Sequence, residues 1–369
     1  MAFSKHMPAL DGLRGVAILL VILTHVGDGW RRALMIVRDA DWMAPLQLGH
    51  WLHLICERAA FGVDLFFVIS AFTLTAGWKP QQTLVAYALK RVARIGPGYW
   101  LAGLAYTAGA GLGPRLLAPN GLSATDVGIA ALFGSAWQGG AALAVVPGGW
   151  SVSCEAAFYV ALPMLLWLIG GKFWRALALA ALATLVAQVM ARYAMAHGGW
   201  GYQNSFYPPG QAPVFLFGIT AALLVQHVLP PRLPGAVAAL LIMAVCILPI
   251  VPIRDWHIMP HLMFAAVVTP AVALAAVHPP TWLAYPAMRH IGKVSYSMYL
   301  VHFAVLAPSL VAAEWLAPSD DWRTLAIHFG LTAGCSFALA CATYRWIEQP
   351  CIQWMSQRLR GAPALVAAE

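Results

Sequence analysis

Long apolar runs separated by short polar breaks dominate the chain from its first residues to its last. A membrane-spanning helix needs about 20 mostly apolar residues, within roughly 17 to 25. Runs of that size, bounded by charges, Pro and Gly, fall at about 9–27, 60–78, 95–113, 151–170, 174–195, 212–229, 235–252, 261–277, 294–314 and 324–344. The pattern predicts an all-α polytopic membrane protein of about ten transmembrane helices. Residues 126–147 are apolar too, but Gly134, Gly139, Gly140 and Pro147 interrupt them. That interruption predicts a short helix or a re-entrant loop instead of a span.

Composition removes the soluble alternative. A length of 369 residues would suit two or three soluble domains at roughly 150 residues each. Yet 61% of the residues are hydrophobic and only 10% charged, against about 25% charged in soluble domains, and mean hydropathy is +0.73. The net charge of +8 therefore belongs to loops and does not read as a nucleic-acid footprint. Lys and Arg concentrate in cytoplasmic loops. With the N-terminus inside, 13 of them fall on the inner side and 8 on the outer, and Arg14 lies within the first span. An even number of spans then puts both termini in the cytoplasm. The first run passes into Gly27, Asp28 and Trp30 without a small-residue cleavage site, so it is expected to stay as a span and not act as a signal peptide.

Six cysteines without a CxxC pair predict no disulfide framework. His257 and His261 stand four apart, but Pro260 breaks the helix that would align them, and no metal site is expected. The stretches 28–59, 114–150 and 196–211, all outer, are long, and Trp30, Trp42, Trp51, Trp137, Trp150, Trp200, Trp256, Trp315 and Trp322 gather on that side. They read either as an interfacial aromatic belt or as stacking platforms for a flat-faced acceptor such as a sugar.

Charges inside spans are costly, roughly 2.5–3.5 kcal/mol each at a helix centre, so each needs a reason. Arg14 and His25 are eleven residues apart, which puts them on nearly one helix face about 16 Å apart. Taken singly they read as a snorkelling anchor and an interfacial histidine. Taken together they read as two ends of a pathway. The second span holds Asp64, at the outer level expected for His25, and Ser70. Arg91 and Arg94, in the inner loop Lys90–Pro97, read as a solvated basic turn or as a phosphate grip. Glu155 is a lone carboxylate expected one turn inside the outer face.

Several blocks together resemble one family. Leu10-Asp-Gly-Leu-Arg-Gly-Val-Ala17 with His25, Phe66-Phe-Val-Ile-Ser70, the Arg91/Arg94 pair, Trp150-Ser-Val-Ser-Cys-Glu155, Ser295-Tyr-Ser-Met-Tyr-Leu-Val-His302 and Glu348-Gln-Pro350 resemble, in this order, the acyltransferase 3 family of bacterial inner-membrane O-acyltransferases. The resemblance covers roughly residues 8–350. It implies a transmembrane domain over 1–350, a cytoplasmic tail over 351–369, and the stand-alone form without an SGNH domain. It also implies transfer of an acyl group, most often acetyl, from cytoplasmic acyl-CoA to a hydroxyl of a glycan, lipid-linked glycan or other acceptor at the outer face. Acyl-CoA would be a donor substrate, with no permanently bound cofactor, and membrane lipids would surround the protein.

On that reading His25 is the general base, since an imidazole titrates near neutrality. Asp64 or Glu155 would orient it, as a carboxylate orients the histidine of a hydrolytic triad. Arg14, Arg91, Arg94 and Ser70 would hold the donor. A transporter or flippase for a glycan or lipid-linked substrate is the rival, because intramembrane charge also marks transport routes. No inverted repeat or paired broken helices support it. A sensory or assembly subunit, which would not need His25, is a third reading.

Overall fold

A computed structural model describes residues 7–36, 48–197, 206–228, 259–317 and 322–361. Among them there is no β-strand, only an isolated bridge between Arg115 and Ala118. The helices are α1 (Pro8–Ile36), α2 (Leu48–Arg58), α3 (Gly62–Ala76), α4 (Leu84–Ala110), α5 (Ala124–Ala131), α6 (Ser135–Gln138), α7 (Gly149–Ile169), α8 (Phe173–Ala196), α9 (Pro208–His227), α10 (Pro260–Val277), α11 (Pro286–Lys293), α12 (Ser295–Leu316), α13 (Trp322–Thr343) and α14 (Gln349–Gly361).

Eight helical stretches are long and apolar enough to cross a membrane: Pro8–Asp28, Trp51–Ala76, Gly149–Ile169, Phe173–Ala196, Pro208–His227, Pro260–Val277, Ser295–Leu316 and Trp322–Arg360. They match eight of the expected spans. The expected span 95–113 lies largely within α4, which is not one of the eight; its first half carries Lys90, Arg91 and Arg94. The expected span 235–252 lies outside the described residues. The last crossing is longer than expected, because a π-helical turn at Tyr344–Glu348 joins α13 to α14 and the helix runs on to Gly361. The all-α polytopic architecture therefore holds.

Large apolar side chains face outward on α7 and α8, among them Val160, Met164, Trp167, Leu182 and Leu185. In water so wide an apolar surface would drive association; in a bilayer it is the lipid face. The inner face of α1 is fully buried at Ile18, Ile22 and Val26. The N-terminal half of α1 packs on α11 backbone to backbone, and a Cβ on Gly292 would run into the Asp11 carbonyl. Only glycine fits there.

The interrupted stretch between α4 and α7 folds as α5, α6 and a 3-10 turn at Gly140–Ala144. Ser123 and Asp126 form a capping box at the start of α5, and the Ser123 hydroxyl and amide hold the Asp126 carboxyl below the usual carboxylate range. The stretch ends inside the bundle. Gly148 takes a left-handed φ of +75°, and its carbonyl accepts from the Tyr299 hydroxyl at 2.8 Å, one turn into α12. Hence α7 starts well below the outer end of its neighbours, which fits a re-entrant loop.

Candidate active site

Six helices surround a pocket of about 260 Å³. Arg14 comes from α1, Ser70 and Thr73 from α3, Lys90, Arg91 and Arg94 from α4, Ser151, Glu155 and Tyr159 from α7, Tyr296 and Tyr299 from α12, and Met355 and Ser356 from α14. Five of the seven residues singled out in the sequence therefore share one cavity. Close approach of α4 to α12 supports this convergence: a Cβ on Gly98 would stand 3.2 Å from the Tyr296 ring, and the Ile95 carbonyl accepts from the Tyr296 hydroxyl at 2.6 Å.

Each cation is held differently. Arg14 donates to Asp11 and to the Thr73 hydroxyl, both at 3.1 Å. Arg94 donates to Glu348 at 2.6 Å and lies over the Tyr296 ring. Glu348 is almost fully buried and also accepts from the Ser297 hydroxyl. The π-helical turn brings it there: one wide turn shifts the side-chain face of the helix. Arg91 has no carboxylate within ion-pair reach among the described residues. It lies over the rings of Tyr87 and Tyr159 at 5.8 Å from each, and its Nε has no hydrogen-bond partner. Arg94 is thus a committed cation and Arg91 an available one.

Glu155 lies deeper than expected. Its Oε1 accepts from Ser70, the ninth residue of α3, and from Tyr159, both at 2.6 Å. The low start of α7 carries it from the outer face into the cationic pocket. Neither of these hydrogen bonds reaches His25.

Asp64 also departs from expectation. Helices α1 and α3 run antiparallel, with Gly27 against Cys56 and Gly62 against Ala17, Leu20 and Val21. This register leaves Asp64 deeper than His25. Asp64 is buried and faces Gln211 of α9. The carboxylate beside His25 is Asp28, one helical turn on, with 3.7 Å between Nδ1 and Oδ2.

His25 is outside the pocket but connected to its wall. Its ring centroid is 5.3 Å from that of His302 and 4.6 Å from that of Phe303. His302 lies 5.7 Å from the ring of Tyr299, a pocket residue whose hydroxyl accepts from Ser151 at 2.8 Å. The path from Arg14 to His25 follows α1 for about three turns, with α12 beside it.

Sequence reasoning gave no role to Asp28, Thr73, Tyr159, Tyr299, His302 or Glu348. Glu348, Tyr299 and His302 stand in blocks that carry the family resemblance. Asp28 and Tyr159 lie one helical turn from His25 and Glu155, within reach of helix spacing, whereas Thr73 meets Arg14 only through a contact between distant segments. Of the outer tryptophans, Trp137 is exposed and edge-on to Tyr207 at 5.3 Å, while Trp150 packs inward against Phe67 and Phe206. His257 lies outside the described residues, and His261 is buried with its ring 3.4 Å from the Gly210 carbonyl.

The chain resembles known proteins along almost its whole length. The family described as "acyltransferase domain" matches residues 7–345. Acyltransferase MdmB of Streptomyces mycarofaciens is 26% identical over 96% of this chain and 93% of its own length. A Staphylococcus aureus protein named provisionally as an O-acetyltransferase is 24% identical over 94% of this chain and 57% of its own length. A Bacillus subtilis protein, named provisionally as a peptidoglycan O-acetyltransferase, is 24% identical over 94% of the chain and 55% of its own length. The chain thus spans little more than half of the latter two. No solved structure matches the chain significantly.

Proposed function

The chain belongs to the acyltransferase 3 family of membrane O-acyltransferases, and from that premise we propose that it moves an acyl group, acetyl first, from cytoplasmic acyl-CoA to a hydroxyl of a glycan or lipid-linked glycan at the outer face of the inner membrane. One observation carries the reading: Arg14, Lys90, Arg91, Arg94 and Glu155 converge on one cavity while His25 stands beyond its wall. A polyanionic donor and a neutral acceptor would need that separation.

Arg91 and Lys90 meet the donor phosphates, since a guanidinium without a carboxylate partner is the better phosphate ligand. Arg14 extends that cationic surface toward the thioester. The acceptor hydroxyl attacks the thioester carbonyl, a C–O bond forms and the C–S bond breaks. His25 takes the hydroxyl proton and returns it to the departing thiolate. Asp28 holds the imidazole through its Nδ1 side, leaving Nε2 as the base. The relatives named as O-acetyltransferases, one of them of peptidoglycan, support a carbohydrate acceptor.

Inverted membrane vesicles given labelled acetyl-CoA test the reading. The expected result is release of free CoA that requires acceptor, with label in the acceptor ester. Movement of a glycan across the membrane without release of CoA would instead establish the transporter.

A further inference from the structure

His302 has no place in the scheme so far, yet the bundle buries it completely beside the base. It has 0% exposure, so it cannot touch either substrate directly. Its Nδ1 lies 2.7 Å from the Tyr299 carbonyl. A carbonyl can only accept, so Nδ1 carries the hydrogen and Nε2 carries a lone pair. That Nε2 is buried without a hydrogen-bond partner. Buried acceptors are rarely left in this condition without a reason.

The groups around the ring narrow the reason. Phe303, at 4.1 Å between centroids, offers no hydrogen-bond donor. Tyr299 has its hydroxyl committed to Gly148 and Ser151. The remaining ring is His25, at 5.3 Å and tilted by 31°, which itself has Asp28 on its other side.

Resting on the assignment of His25 as base, we propose that His302 is a positioning residue that stabilises the positive charge His25 acquires during acyl transfer. In the resting state His25 is neutral and gains little from a nearby lone pair. When the acceptor hydroxyl surrenders its proton, His25 becomes an imidazolium with two N–H groups. Asp28 lies beside Nδ1, Nε2 holds the proton in transfer, and the His302 ring, its Nε2 lone pair unshared, stands 5.3 Å away between centroids. As the C–S bond breaks, the proton passes from His25 to the thiolate and the stabilisation is no longer needed. His302 neither gains nor loses a proton in this sequence. An interaction present only in the transition state raises kcat and leaves donor affinity unchanged.

Two near-isosteric variants separate the two ring nitrogens. In His302→Asn the amide nitrogen replaces Nδ1–H and the Tyr299 contact survives, but Nε2 is gone. In His302→Gln the amide reaches the Nε2 position and the Nδ1 donor is gone. Purified protein in nanodiscs is measured with acetyl-CoA for binding and for turnover. His302→Asn should bind acetyl-CoA normally, with kcat reduced about tenfold, as expected when a buried charge loses one nearby dipole, and His302→Gln should recover part of that loss. The double variant His25→Ala/His302→Asn should turn over no more slowly than His25→Ala alone, because one acts through the other. Full activity in His302→Asn overturns the proposal, and so does a double variant whose two losses multiply. Undiminished turnover in His25→Ala would instead remove the base assignment on which it rests.

Discussion

Arg94, in the pocket wall, and Glu348, 254 positions away in the chain, meet at 2.6 Å. Their contact ties the N-terminal half of α4 to the π-helical turn ahead of α14. Glu348 is almost wholly enclosed, whereas the Arg94 side chain is a third exposed. Removing one member of a buried pair strands the other's charge, whereas replacing both by apolar side chains is often neutral.

Glu348→Gln should therefore destabilise the protein by about 3 kcal/mol, at the lower end of the range for breaking a buried pair because Arg94 keeps some solvent. The double variant Arg94→Met/Glu348→Met should recover most of the melting temperature in detergent. Donor binding should weaken only in the double variant, which removes a cation from the pocket lining. Unchanged acetyl-CoA affinity alongside restored stability would make Arg94 structural only.

Glu155→Gln should leave the protein inserted and folded while turnover falls by at least tenfold. The glutamine amide oxygen can still accept from Ser70 and Tyr159, so the local hydrogen bonds survive the change. What disappears is a negative charge among Arg14, Arg94 and the Tyr159 hydroxyl. Steady-state kinetics in nanodiscs measures the effect, and normal turnover would leave Glu155 as a hydrogen-bond anchor.

Much of the architecture could be read from the chain because a bilayer demands long apolar runs. The cationic pocket was legible for a related reason, as Arg14, Arg91, Arg94 and Glu155 are expensive in or beside spans and therefore conspicuous. Depth was harder to read. Glu155 was misplaced because span counting assumes that each helix starts at the membrane surface, and α7 starts at the level of Tyr299. Asp64 was paired with His25 on the assumption that both lie one turn from the outer end, but the long α1 and the α2–α3 junction shift that register. His302 stands in a block that carries the family resemblance, but only tertiary contact reveals an unpartnered Nε2 in a ring beside His25.

Acid should loosen the outer stretch between α4 and α7 through Asp126. Its folded carboxyl sits below the ordinary value of 3.8 because Ser123 donates to the charged form. The capping box therefore contributes fully above that ordinary value and is lost as pH falls through the lower folded one. Hydrogen exchange at the first turn of α5 should rise over that interval. Asp126→Asn should show faster exchange already at neutral pH and no further step on acidification.

Topology is open to direct test. Residues 114–150 are expected outside and residues 79–94 inside, following the bias of basic residues. With single cysteines in place of the exposed Ser123 and Gln81, in a background without reactive thiols, an impermeant maleimide should label only the first in intact spheroplasts. The reverse pattern would place Arg91 in a compartment without CoA.

The sharpest test contrasts the two ends of the path along α1. Arg91 offers its charge equally to bound donor and transition state, so its loss removes uniform binding. Arg91→Gln should raise KM for acetyl-CoA about tenfold with kcat nearly unchanged. His25 takes a proton only as the hydroxyl attacks, and His25→Ala should lower kcat by about 10²- to 10⁴-fold, the usual worth of a positioned base. Acetyl-CoA binding should survive that change because His25 lies outside the pocket lining. Titration of binding and turnover on the same nanodisc samples separates the two. Loss of donor binding in His25→Ala, with the residual kcat intact, would make the histidine a donor ligand. The base would then be sought inside the pocket, where Glu155 is the carboxylate in reach.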